Sequence, residues 1–236
     1  MTLPSRPGYA PVRRALRLLP LLALVSACSQ PPTAPGPLPA ARPDGVQPAP
    51  VADGAAWIVD PAASLIAVTV RRGGLLARLG HDHVIAVHTL AGQVAPALDR
   101  ADLSFRLDAM TVDEPQLLRE AGIESQPAAA AIEGTRHNML GPVLDAPRFP
   151  LVALHVERAG ADRLRVDVTL HGVTRRLLLP AVVRVGSAEV DASGTARLNQ
   201  TDFGITPFSV GGGLLAVEDA LEIRYRIVAR RGRGAD

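Results

Sequence analysis

Cysteine, lysine and aromatic residues are scarce in this chain of 236 residues. It has one cysteine, all 25 of its cationic residues are arginine, and aromatic residues make up 3%. A single cysteine excludes an intrachain disulfide framework and a cysteine-built zinc site. The sequence also has neither a Gly-x-Ser-x-Gly elbow nor a glycine-rich phosphate loop followed by lysine, so we expect a protein that is not an enzyme.

Hydrophobic residues are abundant at 47%, and charged residues make up 20%. This composition excludes a disordered chain, which would be poor in aliphatic residues and rich in net charge. The formal charge of +2 points toward nucleic acid, yet the arginines alternate with acids, as at Glu222-Ile223-Arg224. Such alternation is typical of a solvated strand face, and we expect no nucleic-acid partner.

The first 27 residues predict a signal peptide. Four arginines precede a short apolar run, Leu18–Val25, and small residues lead to Cys28. This is the layout of a bacterial export signal, and the run is much shorter than the roughly 20 apolar residues of a membrane-spanning helix. Residues 25–28 resemble a lipobox, so Cys28 is the expected lipid attachment site; the alternative is a plain signal peptide with an incidental cysteine. Cleavage before Cys28 removes four of the 25 arginines and leaves 21 against 23 acidic residues, a formal charge of −2.

Residues 28–56 predict a lipidated tether rich in proline and alanine. Such a segment has no apolar period to bury and favours extended polyproline conformations. A proline-rich recognition site is the alternative. Ser29 follows Cys28, in place of the aspartate that often marks retention in the inner membrane of Gram-negative bacteria. We therefore expect anchoring in the cell envelope, at the periplasmic face of the outer membrane.

Residues 57–232 predict one β-rich domain, because apolar and polar residues alternate with a period of two. Strict alternation occupies 103–108, 164–170, 190–198 and 221–227. Further strands are predicted at 65–71, 84–94, 151–157 and 173–185, the last interrupted at Pro180, with helices at 114–121 and 128–139. About eight strands with a short helical insertion indicate an all-β fold, and we expect an antiparallel barrel in preference to a sandwich.

The interior of such a barrel is predicted to be mainly aliphatic, with a helical stretch at 128–139 placed to cover an entrance. Small barrels either fill their interior with side chains or enclose one ligand. The candidate ligand-binding residues are Ile66, Val68, Val70, Phe105, Val166, Val168, Phe203, Ile223 and Tyr225. Composition leaves a pocket for a chain-like ligand and a filled core equally open.

Two histidine arrangements are candidates for metal or haem ligation. His81 and His83 share one face of an extended segment, a spacing at which two imidazoles can bind one metal. Glu133 and His137 lie four residues apart on the second predicted helix. The alternatives are a polar turn that bonds to backbone and a solvated helix face. Two histidines need at least one further ligand, which the sequence does not identify.

Five ordered motifs resemble the YceI-like family. They are Trp57–Ser64, Leu144–Pro150, the strand, glycine turn and strand of Leu170–Arg175, the Asn-x-x-Asp-Phe-Gly stretch within Leu198–Ile205, and Val217–Ile223. This resemblance covers about Trp57 to Ala229. Gln200 stands where the family often has arginine, and Gly80-His81-Asp82-His83 replaces a stretch that is commonly apolar or small.

The resemblance implies a lipocalin-like antiparallel barrel that holds an amphiphile, such as a polyisoprenoid or an isoprenoid quinone, and no other cofactor. The leading hypothesis is therefore a lipid-anchored periplasmic carrier for an apolar-tailed ligand. A metal- or haem-linked envelope protein that uses His81 and His83 is the second hypothesis. The third is a structural or stress-related envelope protein with a filled barrel. The oligomeric state stays open.

Overall fold

In a computed structural model, residues 56–231 are described, and they form an antiparallel sheet of thirteen strands with two short helices. The strands are β1 (Trp57–Val59), β2 (Leu65–Gly73), β3 (His83–Val87), β4 (Ala91–Ala95), β5 (Arg100–Arg106), β6 (Thr111–Val112), β7 (Leu151–Arg158), β8 (Arg163–Leu170), β9 (Val173–Pro180), β10 (Val182–Val185), β11 (Glu189–Asn199), β12 (Ser209–Val210) and β13 (Leu215–Arg231). The helices are α1 (Pro115–Glu120) and α2 (Ala129–Asn138).

The strands follow the order β6-β3-β2-β13-β1-β4-β5-β7-β8-β9, and β13 also pairs with β11 and β12. The long strand β13 pairs with β2 along residues 216–226 and then with β1 along 229–231. Strands β1 and β2 thus lie end to end along the same edge of β13. This division, the division of two predicted strands at 84–94 and 173–185, and the two-residue strands β6 and β12 explain why the structure has more strands than the eight or so that the sequence predicts.

The predicted single strand at 84–94 is wrong, because β3 and β4 are separate strands with different partners. β3 pairs with β2 and β6, whereas β4 pairs with β1 and β5. Residues 84–87 are buried on both faces, one toward the interior and one beneath α1. A run that is buried on both faces has no alternation, so its end cannot be located from the sequence pattern.

The wall of the barrel passes from β8 to β11 through one strand that is kinked at Pro180, where the sequence predicts an interruption. β9 pairs with β8, and beyond Pro180 the chain continues as β10, which pairs with β11. The Ala181 amide at this kink donates to the Asp162 carbonyl at 2.8 Å. Between residues 56 and 231 no ladder of backbone hydrogen bonds joins β9 to β11, so the sheet is open along this seam. The predicted all-β antiparallel barrel architecture is confirmed, with this open seam.

The two predicted helices are confirmed at 115–120 and 129–138. α1 starts with Pro115, a residue suited to the first helical turn, and packs Leu117 and Leu118 on the outer face of β2 and β3. α2 buries none of its residues and continues into a π-helical turn, Met139–Val143. None of the helices within residues 56–231 is both long enough and apolar enough to cross a membrane.

The predicted strand, glycine turn and strand at 170–175 is confirmed as the β8–β9 hairpin. His171 and Gly172 have positive φ values of 52° and 74°, as a two-residue type I′ turn requires. A Cβ atom at Gly172 would lie 2.7 Å from the Phe149 ring. Glycine is therefore required here both by the backbone conformation and by the packing of Phe149.

Candidate ligand cavity

An apolar cavity of about 300 Å³ lies inside the barrel. Because successive side chains of a strand point to opposite faces, alternate residues of β2, β5, β7, β8, β11 and β13 form its wall. Eight of the nine candidate ligand-binding residues line it. They are Ile66, Val68, Val70, Phe105, Val166, Val168, Ile223 and Tyr225.

Phe203, the ninth candidate, does not line the cavity. It lies in a 3₁₀ turn, Gln200–Phe203, that follows β11, and its side chain is fully buried. There it belongs to the main hydrophobic cluster together with Ile205. The turn therefore places the ring in this cluster and not among the residues that line the cavity.

Several wall residues were not among the candidates, notably Ala101, Leu154, Val156 and Leu177. The alternation that identified the candidate residues also identifies these, since Val152, Leu154 and Val156 occupy every second position of β7. These residues complete the aliphatic wall on the side of β5, β7 and β9.

One end of the cavity has a charged rim. Asp99 and Arg158 line this end, and the Arg158 Nε donates to Asp99 Oδ1 at 2.7 Å. The Arg158 backbone amide also donates to the Asp99 carbonyl at 2.9 Å. Asp99 adopts a left-handed conformation, with φ of 51°, which aspartate tolerates better than most residues. The turn between β4 and β5 is thus tied to the end of β7 beside solvent.

The opposite end is covered by the helical insertion and contains one internal polar group. Met139, Val143 and Leu144 line the cavity here, together with Gln200. Gln200 is 5% exposed, and its Nε2 donates to the Glu218 carbonyl at 2.9 Å. This bond fixes the orientation of the amide, because only the nitrogen can donate. Among residues 56–231 no donor is bonded to the Gln200 Oε1.

Tyr225 spans the open seam. Its hydroxyl donates to the Pro180 carbonyl at 2.8 Å, and the two groups meet over Gly194, where a Cβ atom would lie 2.6 Å from the hydroxyl oxygen. Burial raises the pKa of the Tyr225 phenol, so the hydroxyl remains protonated and able to donate. The ring lines the cavity while its polar atom holds β13 to the end of β9.

The first histidine pair occupies a polar turn outside the cavity. His83 Nδ1 lies 2.7 Å from Oδ2 of buried Asp113, whose Oδ1 accepts the Val84 amide at 2.9 Å. The His81 ring is 6.4 Å from that of His83, centroid to centroid. Asp82 accepts the Arg72 backbone amide at 3.0 Å. Within the described part of the chain, no three His, Cys, Asp or Glu residues are grouped to hold a metal.

Glu133 and His137 are both exposed on α2, as the solvated-face alternative predicts. Cys28, the signal peptide and most of the tether lie outside the described residues. Their predicted roles therefore stay predictions.

The chain belongs to the YceI-like domain family, which matches residues 57–229. A polyisoprenoid binding domain from Saccharophagus degradans, implicated in plant cell wall breakdown, is similar in structure, with a TM-score of 0.53 and 11% identity over 76% of this chain and 100% of that one. BcnA from Burkholderia cenocepacia has a TM-score of 0.49 and 14% identity, covering 72% of this chain and 99% of its own. A Campylobacter jejuni YceI protein has a TM-score of 0.40 and 12% identity, covering 61% of this chain and 81% of its own. A search of curated proteins gave no significant match.

Proposed function

We propose that this protein is a carrier that binds an amphiphilic molecule, of the polyisoprenoid or isoprenoid quinone type, by enclosing its apolar tail in the barrel. The observation that carries this proposal is the aliphatic wall around a cavity of about 300 Å³, with polar groups at its two ends. Burying hydrocarbon stabilises a complex by about 0.8 kcal/mol per CH₂. A wall of valine, leucine and isoleucine offers this gain to an alkyl or isoprenoid chain without demanding hydrogen bonds from it.

The comparisons and the cavity dimensions support this proposal. The Saccharophagus degradans domain with the same fold is described as polyisoprenoid binding. A filled barrel would leave space for a few waters at most, whereas about 300 Å³ lies within the usual range of ligand pockets. The metal-linked alternative has less support, because no three His, Cys, Asp or Glu residues among residues 56–231 are grouped to hold a metal, and His83 instead bonds to Asp113.

The carrier is proposed to act in the periplasm, anchored through a lipid on Cys28 at the outer membrane. The support is the sequence pattern alone: basic residues, a short apolar run and the only cysteine of the chain directly after Ser26 and Ala27. More than one acyl chain makes attachment to a bilayer stable. Residues 28–56 would then hold the barrel close to a source of apolar-tailed ligands.

The test is to purify the full chain from membranes, extract it with solvent and identify bound molecules by mass spectrometry. We expect one amphiphile enriched over the bulk lipids. Ala101→Phe places a ring in the cavity and should lower the retained amount about tenfold or more, because overpacking costs about 1–3 kcal/mol. Ala153→Phe is the matched control, since Ala153 lies on β7 between cavity-lining Val152 and Leu154 and so faces outward.

The control variant should retain as much ligand as the unmodified chain. The proposal would be contradicted by an extract with no enriched molecule and no uptake of added isoprenoids. Equal loss in both variants would show that the ligand lies outside the cavity.

A further inference from the structure

Five large aliphatic side chains are exposed together at one end of the barrel. They come from the segment after β2 and from β12 with its connection to β13, and we call them the apolar tip: Leu75, Leu76, Leu79, Val210 and Leu214. Leu75 is 89% exposed and Leu79 is 71% exposed. Contiguous exposed apolar groups of this kind mark sites of interaction with a partner or a membrane.

The two segments of the apolar tip are fixed to each other. The Leu76 amide donates to the Leu214 carbonyl at 2.9 Å. Gly74, with φ of +85°, passes so close that a Cβ atom there would lie 2.6 Å from the carbonyls of Gly213 and Leu214. The exposed leucines are therefore presented together by a defined pair of turns.

Cationic side chains flank the apolar tip. Arg72 and Arg78 are exposed, and the Arg72 guanidinium donates to the Gly80 carbonyl at 3.0 Å, which steadies the turn. Arg71 contacts Asp82 and Glu222, each at 3.3 Å, and Arg72 contacts Asp82 at 3.6 Å. Glu218 lies beside Gly73. Arg78, between Leu76 and Leu79 in the tip itself, makes no ion pair among residues 56–231. Aliphatic groups bordered by arginine match the layers of an anionic bilayer surface.

The apolar tip lies at the covered end of the cavity. β2 and β13 reach it, and Glu218 at the start of β13 accepts the hydrogen bond from cavity-lining Gln200. The cover at this end is α2 and its π-helical continuation, and α2 buries none of its residues. A surface bound by the apolar tip would therefore lie next to the exposed helix α2 at this end of the cavity.

We propose that the apolar tip inserts into the surface of a bilayer that contains anionic lipids. Protein interfaces concentrate their binding energy in tryptophan, tyrosine and arginine, whereas all five members of the tip are leucine or valine. Hydrocarbon accepts such side chains without shape complementarity. This inference goes beyond the proposed function and does not depend on it, because insertion can be measured whatever the cavity holds.

The experiment places a fluorophore on the full chain in a Cys28→Ser background. An environment-sensitive label is attached at Leu75→Cys or, as control, at Leu178→Cys, an outward position on β9 that is 53% exposed. With vesicles containing phosphatidylglycerol, the label at 75 should shift to shorter wavelength and resist quenching by aqueous iodide. The label at 178 should stay quenchable. Vesicles of phosphatidylcholine alone should protect the label at 75 less.

A second substitution tests the contribution of the neighbouring leucine. Because burying a leucine side chain shifts an equilibrium about tenfold or more, Leu79→Ser should weaken protection of the label at 75 by about that factor. The proposal is overturned if the label at 75 stays quenchable with vesicles, or if both labels become protected. It is also overturned if protection appears without vesicles and grows with protein concentration, since the tip would then bind a second copy. Ligand retention, measured separately, distinguishes these outcomes from failure of the carrier function.

Discussion

Two adjacent rows of residues cross the same four strands, β5, β7, β8 and β9, and have opposite chemistry. The inner row, in pairing register, is Ala101, Val156, Val166 and Leu177. The outer row, one position along, is Asp102, His155, Asp167 and Arg176. Every member of the inner row lines the cavity. A one-residue change of register would exchange the two rows, so the alternation fixes the register.

The rows also differ in what their contacts contribute. In the outer row, His155 lies 2.6 Å from Asp102, and Arg176 makes two hydrogen bonds of 2.6–2.7 Å to Asp167. Exposed ion pairs of this kind contribute little to stability, because water and salt screen them. The inner row excludes water and has no polar side chain. Stability therefore depends mainly on the inner row, which is also part of the wall of the proposed ligand cavity, and the outer row mainly keeps the surface solvated.

The largest effect is expected when a charged residue is introduced into the inner row. Val166→Asp places a carboxylate on a wall position that is 5% exposed and faces aliphatic side chains. An uncompensated buried charge costs on the order of 3–5 kcal/mol, so the free energy of unfolding at neutral pH should fall by that amount. Chemical denaturation monitored by circular dichroism measures it.

The control for this variant is Thr169→Asp, on the outer face of the same strand, where the change should stay within about 1 kcal/mol. The deficit of Val166→Asp should also shrink in acid, because burial raises the pKa of a carboxyl group and the neutral form is tolerated better. Equal costs at both positions would contradict the assignment of the two faces.

A smaller effect is expected at the internal polar group of the cavity. Gln200→Leu removes the donor to the Glu218 carbonyl, and a lost hydrogen bond of this kind costs about 1 kcal/mol. Thermal or chemical unfolding should register this loss. Gln93→Leu serves as the matched control, since Gln93 lies on β4 next to cavity-lining Val94 and faces outward. A stabilised Gln200→Leu variant would show that the bond is not needed.

The alternation made much of this architecture predictable from the sequence. It identifies inward positions such as Val166 and Val168 without knowledge of their partners, because strand geometry alone assigns successive residues to opposite faces. Pro180 likewise marked the kink at which the chain leaves β8 for β11. The hairpin at His171 and Gly172 was predicted from the resemblance to the family, and the positive φ of Gly172 explains why a glycine suits that turn.

The remaining features depend on contacts between distant segments. The change of partners between β3 and β4 follows from where β1 and β2 lie on β13. Gln200 lies in a turn with no periodic pattern, and its partner Glu218 is 18 residues away. The apolar tip combines two segments more than 130 residues apart, joined by a hydrogen bond from Leu76 to Leu214. A local sequence pattern does not predict contacts between residues that are so far apart in the chain.

The smallest expected effect is in the outer row, where the Asp167–Arg176 pair gives a pH dependence. The hydrogen bond from Arg176 holds the pKa of the Asp167 carboxyl below its usual value. Because the folded-state pKa lies below the unfolded one, the pair's contribution is present above the unfolded pKa. It is lost as the pH falls through the folded pKa. Arg176→Gln should raise the pKa of Asp167 toward its usual value, which NMR titration of the carboxyl carbon measures. It should also remove the pair's contribution to the pH dependence of the free energy of unfolding, which denaturation at several pH values measures. An unchanged pKa of Asp167 in that variant would show that the pair is not formed in solution, so the pair would contribute nothing to the stability of the outer row.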